Sequence, residues 1–205
     1  SILTQSAALA AAQPDAALAK LLAFDQSGAT EEDRKVYLKN KILLSEKTNK
    51  IREARVATED LLRDKTLTDD EREFALGRKV WFAELELDFP TALAAAEQMK
   101  FKELTPVERM LKLAMYSELA DKSPESYYGQ YLAQSKDADK KALIALQLVR
   151  ISKTPQQALE KYKTHFAGNM GLYAHAALDV YAQTKDIKVL EAAPKAKGQN
   201  KHDSF

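Results

Sequence analysis

Residues 68–98 read TDDEREFALGRKVWFAELELDFPTALAAAEQ, and this stretch decides the fold. Thr68 stands three residues ahead of Glu71. At that spacing a Thr oxygen accepts from a free backbone N–H at a helix start, and the Glu carboxylate reaches back to the Thr N–H. Asp69, Asp70 and Glu71 add negative charge where the helix dipole favours it. Beyond them, at 100° per residue, the apolar side chains fall into two stripes. Phe74, Ala75, Trp81, Phe82 and Leu85 form one; Leu76, Val80, Ala83 and Leu87 form the other. A helix covering a single core needs one stripe, so two stripes predict neighbours on two sides. Phe89-Pro90-Thr91-Ala92-Leu93 then opens a second helix. Its Pro sits where a missing N–H costs nothing, and its small Ala lets two backbones approach.

The same punctuation recurs along the chain. Thr30 precedes Glu31-Glu32-Asp33, and Thr105 precedes Pro106-Val107-Glu108; Ser123-Pro124-Glu125 and Thr154-Pro155-Gln156 repeat a cap-plus-Pro start. Sustained period-two alternation and Asn-Gly or Asp-Gly turns are absent, so strands are not expected. The predicted helices are 3–12, 14–24, 31–46, 49–64, 69–87, 90–100, 106–120, 124–134, 138–152, 155–166, 170–184 and 186–192. Every second helix opens near Pro14, Asn49, Pro90, Pro124, Pro155 and Asp186, roughly 31 to 41 residues apart. Ala17, Ala54, Ala92 and Ala158 follow a few positions inside. Pro14-Asp15-Ala16-Ala17-Leu18 and Pro155-Gln156-Gln157-Ala158-Leu159 match the segment at Phe89, whereas Tyr127-Tyr128-Gly129 departs from it. Residues 107–120 and 142–151 are apolar around most of their circumference, as helices deep in a stack should be.

A helical hairpin recurring near 34 residues, with Ala-Leu early in its second helix, resembles the tetratricopeptide repeat superfamily. The resemblance covers residues 1–192 and implies an all-α fold: a right-handed α-solenoid of about five to six antiparallel hairpins. It also implies protein–protein interaction. The first-helix Trp-Leu-Gly-Tyr set is missing, and Leu76-Gly77 lies out of register with Ala92, so no subfamily is assigned. A compact multi-helix bundle is the alternative architecture. Residues 193–205, APKAKGQNKHDSF, read as a polar tail.

Composition narrows the classes further. The 205 residues are 45% hydrophobic and 30% charged, with 31 Lys+Arg against 30 Asp+Glu. Such a chain has apolar content for a core and no charge excess that would keep it disordered or mark a nucleic-acid partner. Six Gly and six Pro exclude collagen-like and linker classes. No apolar run is long enough to span a bilayer. With no Cys, disulfides, Cys-containing zinc sites and thiol nucleophiles are ruled out. Lack of Cys fits a periplasm, or chance in a short chain; a soluble periplasmic or cytoplasmic protein both remain open. The sequence opens Ser1-Ile2-Leu3 without Met and shows no basic n-region followed by an apolar h-region; a removed signal or anchor and a fragment are both open readings.

Candidate site residues follow from the helix faces. His175, Asp179 and Gln183 share a face at i, i+4 and i+8. They form either a polar ladder lining a groove or a His–Asp pair that stabilises the helix; a metal would need a further ligand. Arg72, Lys79 and Glu86 form one polar stripe, Arg109 and Lys112 lie on the next first helix, and Gln147 and Arg150 on the one after. First helices line the concave side of a solenoid, so Arg72, Lys79, Arg109, Lys112, Arg150, His175 and Asp179 are the expected binding residues. Their excess of cations points to an acidic or carboxylate-bearing segment; a plain solvated face is the other reading. Trp81 is expected in the core, and Tyr127, Tyr128 and Tyr131 between repeats or at an interface. Lys39, Lys41, Lys47 and Lys50 read as a solvated face. Catalysis is not expected, because Gly-rich loops, His-Glu-x-x-His and Gly-x-Ser-x-Gly are all missing and carboxylate pairs such as Glu84 and Asp88 show no tuned pocket. No cofactor or metal is expected. The expected function is a non-catalytic scaffold or adaptor that binds a polypeptide. The alternatives are a positioning domain of a larger enzyme or envelope-assembly factor, and a small-ligand-binding bundle.

Overall fold

A computed structural model describes residues 1–191, and all regular structure among them is helical. The helices are α1 (Ile2–Leu9), α2 (Pro14–Leu22), α3 (Glu31–Lys47), α4 (Ile51–Leu62), α5 (Asp69–Leu85), α6 (Phe89–Gln98), α7 (Pro106–Leu119), α8 (Glu125–Gln134), α9 (Ala138–Ile151), α10 (Pro155–Tyr162), α11 (Met170–Thr184) and α12 (Lys188–Glu191). Each predicted helix has its counterpart. The predicted 155–166 helix stops at Tyr162 and tightens into a 3-10 turn over Lys163–Phe166. The tail read at 193–205, and residue 192 with it, lie outside the described residues.

Helix starts follow the caps. Thr30 Oγ1 accepts from Asp33 N at 3.1 Å. Thr68 and Glu71 form a reciprocal capping box, and Thr105 and Glu108 exchange the same two bonds. Two expected starts differ. Thr154 occupies the cap position without a side-chain bond, its N–H donating to Ser152 Oγ at 3.0 Å. Pro124 lies just outside α8 rather than inside it.

The ends share a geometry that the sequence does not signal. Asn49, Leu87 and Asp121 adopt positive φ after α3, α5 and α7. In each case the next N–H donates five residues back: Lys50 to Ser45 at 2.7 Å, Asp88 to Ala83 at 2.8 Å, Lys122 to Ser117 at 2.8 Å. This is the left-handed helix stop that Gly usually supplies. Gly is absent there; Asn49 and Asp121 are of types that adopt this conformation readily, whereas Leu87 gives no cue.

The chain divides into two compact units, Ser1–Lys102 with Leu119–Asp121, and Glu103–Glu118 with the chain from Lys122 on. In the first, α1 to α6 pack in sequence order, each on the next. Leu3, Ala17, Leu18, Leu21, Tyr37 and Leu44 form one core cluster; Ile42, Ala57, Leu61 and Ala75 form another. Helix α5 packs on both α4 and α6 and buries Ala75 and Phe82 as well as Leu76, Val80 and Ala83, so both apolar stripes are used. Their outer members are not buried. Trp81, expected in the core, is half-buried, its ring against Phe82 and under the Arg78 guanidinium at 5.2 Å. Leu85, at the end of α5, is exposed, and Leu87 belongs to the left-handed turn, off the helix wheel.

The second unit is built around Ala142, Ala145, Leu146, Val149, Phe166, Tyr173 and Val180, with α9 touching α8, α10 and α11. Tyr128 and Tyr131 are buried there, the packing reading of the tyrosine cluster. Ala17, Ala54, Ala92 and Ala158 are all buried, at 0%, 0%, 0% and 7% exposure, as close helix approach requires.

Candidate binding surface

Side-chain bonds between distant residues repeatedly join one helix to the next but one. Lys39 Nζ reaches Glu71 at 2.9 Å and Arg78 reaches Glu46 at 2.9 Å, linking α3 to α5. Gln147 Nε2 donates to Glu118 at 3.2 Å, linking α7 to α9, and Arg150 Nε donates to Asp179 at 2.7 Å, linking α9 to α11. Lys161 and Tyr162 both donate to Glu125 at 2.7 Å, linking α8 to α10.

In the first unit, Arg72 is exposed on α5. Lys79 pairs with Glu59 of α4 at 3.0 Å, and Glu86 pairs with Arg55 of α4. Lys79 and Glu86 thus turn toward a second helix, and Arg78, one position from Lys79, reaches α3. Lys79 and Glu86 line an open cleft of about 470 Å³ with Arg55, Glu59, Arg63 and Asp88. Arg63 pairs with Asp60 at 2.9 Å, and Asp88 caps α6 through Thr91 N. Bonds from the Thr91 side chain and from its backbone N–H hold the Asp88 carboxyl below its usual range.

The second unit carries the other five expected residues. Arg109 and Lys112 are half-buried on α7, and Lys112 Nζ lies 5.7 Å from the Tyr116 ring centroid. Arg150 is held by Asp179. His175 is exposed, and Asp179 bonds to Arg150 of α9 rather than to His175. The expected His–Asp pair is replaced by a pair between helices, because Asp179 faces α9.

The α7–α9–α11 face holds more than these polar groups. Met115, Leu143, Ile151 and Leu178 are 54%, 52%, 42% and 53% exposed. Met115 and Leu143 lie within one turn of Glu118 and Gln147; Ile151 and Leu178 adjoin Arg150 and Asp179 in sequence. Glu118 also accepts from the Tyr128 hydroxyl, and burial, then this bond, raises the Tyr128 pKa. Residues 107–120 and 142–151 are expected deep in a stack, and Met115, Leu143 and Ile151 depart from that, since a residue type alone does not show which apolar position lacks a neighbour.

Among the described residues, no group of three or more His, Cys, Asp or Glu side chains is placed to hold a metal ion. No helix there is long and apolar enough to cross a membrane. The chain matches no protein-family model, no curated protein and no solved structure.

Proposed function

We propose that the protein is a non-catalytic interaction module whose hairpins stack, within each unit, as a right-handed tetratricopeptide-like solenoid. The first helices present the surface that binds a polypeptide. The observation that carries this reading is the α7–α9–α11 face, where three alternate helices join side by side through Glu118–Gln147 and Arg150–Asp179 and leave aliphatic side chains in solvent. Parallel display of equivalent helices is what repeat stacking produces, and it spreads moderate contacts along an extended partner. In a closed bundle, helices far apart in sequence would share one core. The side-chain bonds that link a helix to the next but one instead span 29 to 37 residues, about one hairpin. Arg72, Lys79, Arg109, Lys112, Arg150, His175 and Asp179 are proposed as the polar contacts. An acidic partner segment would compete with Glu59 for Lys79 and with Asp179 for Arg150.

The test is affinity capture. The intact chain is immobilised against an extract of its own source, beside a Lys79→Glu, Lys112→Glu variant whose melt is recorded. Specific polypeptides retained by the parent and lost by the folded variant are expected. A folded parent that retains no polypeptide overturns the reading.

A further inference from the structure

A small cleft of about 220 Å³ lies in the second unit, between the start of α9 and the 3-10 turn after α10, and its charge is of one sign. Ser135, Lys136, Lys141, Thr164 and His165 supply its polar side chains, and no carboxylate lines it. Asp137, in the same stretch of chain, is turned to capping α9, its Oδ1 accepting from Lys140 N at 3.0 Å. Close packing fixes the cleft wall: a Cβ on Gly168 would lie 2.7 Å from Ala138 Cβ. Ser135 is buried and its Oγ accepts from Asp137 N at 3.2 Å, which leaves its own proton to donate.

Other lysines nearby have carboxylate partners: Lys161 pairs with Glu125 at 2.7 Å and Lys163 with Glu160 at 3.8 Å. Among the described residues, Lys136 and Lys141 have no such partner. Burial, then the Lys141 ammonium, lowers the His165 pKa, and no carboxylate acts against them. Like charges gathered at one place repel, and an anion set among them turns that repulsion into attraction. Two ammonium groups, an imidazole N–H and two hydroxyls are all donors. They complement a compact ion with several acceptor oxygens, and bonds to such an ion are charge-assisted. The volume agrees, since drug-sized ligands take pockets of roughly 300–1,000 Å³.

We infer that this cleft binds a phosphate-class oxyanion, with Lys136 and Lys141 supplying the charge and Ser135, Thr164 and His165 donating hydrogen bonds. It shares no residue with the polypeptide-binding surface proposed above and does not rest on that reading.

The test is titration of the full-length chain with inorganic phosphate against chloride, at neutral pH and constant ionic strength. The readouts are the imidazole resonances and the melt, with His165→Gln assigning the His165 signals. Expected is a saturable shift of His165, no shift of the exposed His175, and a melting temperature that rises with phosphate. A Lys136→Gln, Lys141→Gln variant loses like-charge repulsion, so it should melt no lower than the parent in chloride. Its Kd for phosphate should be weaker by about tenfold or more. If the double variant melts early, Lys136→Gln alone, at an exposed position before α9, carries the comparison. A His165 that ignores phosphate in the folded chain overturns the inference, and so does a response that the lysine variant keeps or that chloride reproduces. Sedimentation with vesicles containing phosphatidic acid distinguishes the sources of the ligand. Co-sedimentation lost in the lysine variant assigns the site to a lipid headgroup, and a phosphate-responsive chain left in the supernatant assigns it to a free phosphate.

Discussion

Glu71 shows how one residue serves two levels of structure. Its carboxylate accepts from Thr68 N at 2.8 Å, closing the capping box, and also from Lys39 Nζ at 2.9 Å and Lys35 Nζ at 3.2 Å. Lys35 is itself buried, at 6% exposure, and a buried ammonium needs such a partner. The Thr68 backbone bond, then the lysine bonds, hold the Glu71 pKa down from 4.5 to about 2. A carboxyl with a depressed folded pKa contributes stability that is fully present above its unfolded value and is lost as pH falls through the folded one. Thermal melts should therefore weaken progressively from about pH 4.5 toward pH 2, by on the order of 1–3 kcal/mol from this group. Glu71→Gln should be less stable at neutral pH and show a flatter acid limb; an acid limb as steep as the parent's would assign the loss to other carboxylates. Thr68–Glu71 was legible in the sequence because the partners are three residues apart. The two lysines were not, because 36 and 32 residues separate them from Glu71 and only packing brings α3 to α5.

Element boundaries were legible for the same local reason: caps, prolines and apolar periodicity all act within a turn or two. What a helix touches is a different kind of information. The alanines early in the second helices bridge the two levels, since their smallness implies close approach whatever the partner. Ala92 is fully buried and Ala158 nearly so. Ala92→Glu and Ala158→Glu should each destabilise by about 2–5 kcal/mol, through overpacking and an unpaired buried charge. Melting temperatures equal to the parent's would place those alanines outside the helix contacts. Gly168 carried no comparable signal. A Cβ built there would lie 2.7 Å from Ala138 Cβ and 3.2 Å from the Ala138 carbonyl carbon and oxygen. The turn after the 3-10 segment therefore rests against the start of α9, some 30 residues back. Gly168→Ala should lower stability by about 1–3 kcal/mol, whereas Gly129→Ala, with nothing within 4 Å of its added methyl, should be neutral or stabilising by up to ~1 kcal/mol in its helix. Chemical denaturation of the pair decides this: equal midpoints would mean the Gly168 turn shifts freely.

At the scale of the molecule, recurring helix-start signals and the lack of strand patterning made the all-helical class readable, while the proposed binding face was only half readable. The sequence places Arg150 and Asp179 on α9 and α11, yet it cannot show that they bond to each other, nor that Leu143 and Leu178 remain exposed to solvent. The same reasoning bears on solenoid against bundle. A stacked array gains stability from each repeat and its nearest neighbours, so a segment with its own core should survive alone; a bundle cut in half loses the core that its halves share. Residues 1–102 contain both the Leu3–Leu21–Tyr37–Leu44 cluster and the Ile42–Ala57–Leu61–Ala75 cluster. They also contain the Lys39–Glu71, Arg78–Glu46 and Lys79–Glu59 pairs. Expressed by themselves, they should keep a helical circular-dichroism signal in proportion to their length and melt cooperatively, at a lower temperature than the full chain because they stack fewer repeats. The local ion pairs should persist as well, so that Lys35→Ala lowers the melting temperature of the fragment as it does that of the full chain. A fragment that is unfolded or melts without cooperativity would mean that its helices depend on a core completed by later residues, and the closed bundle would then be the better description.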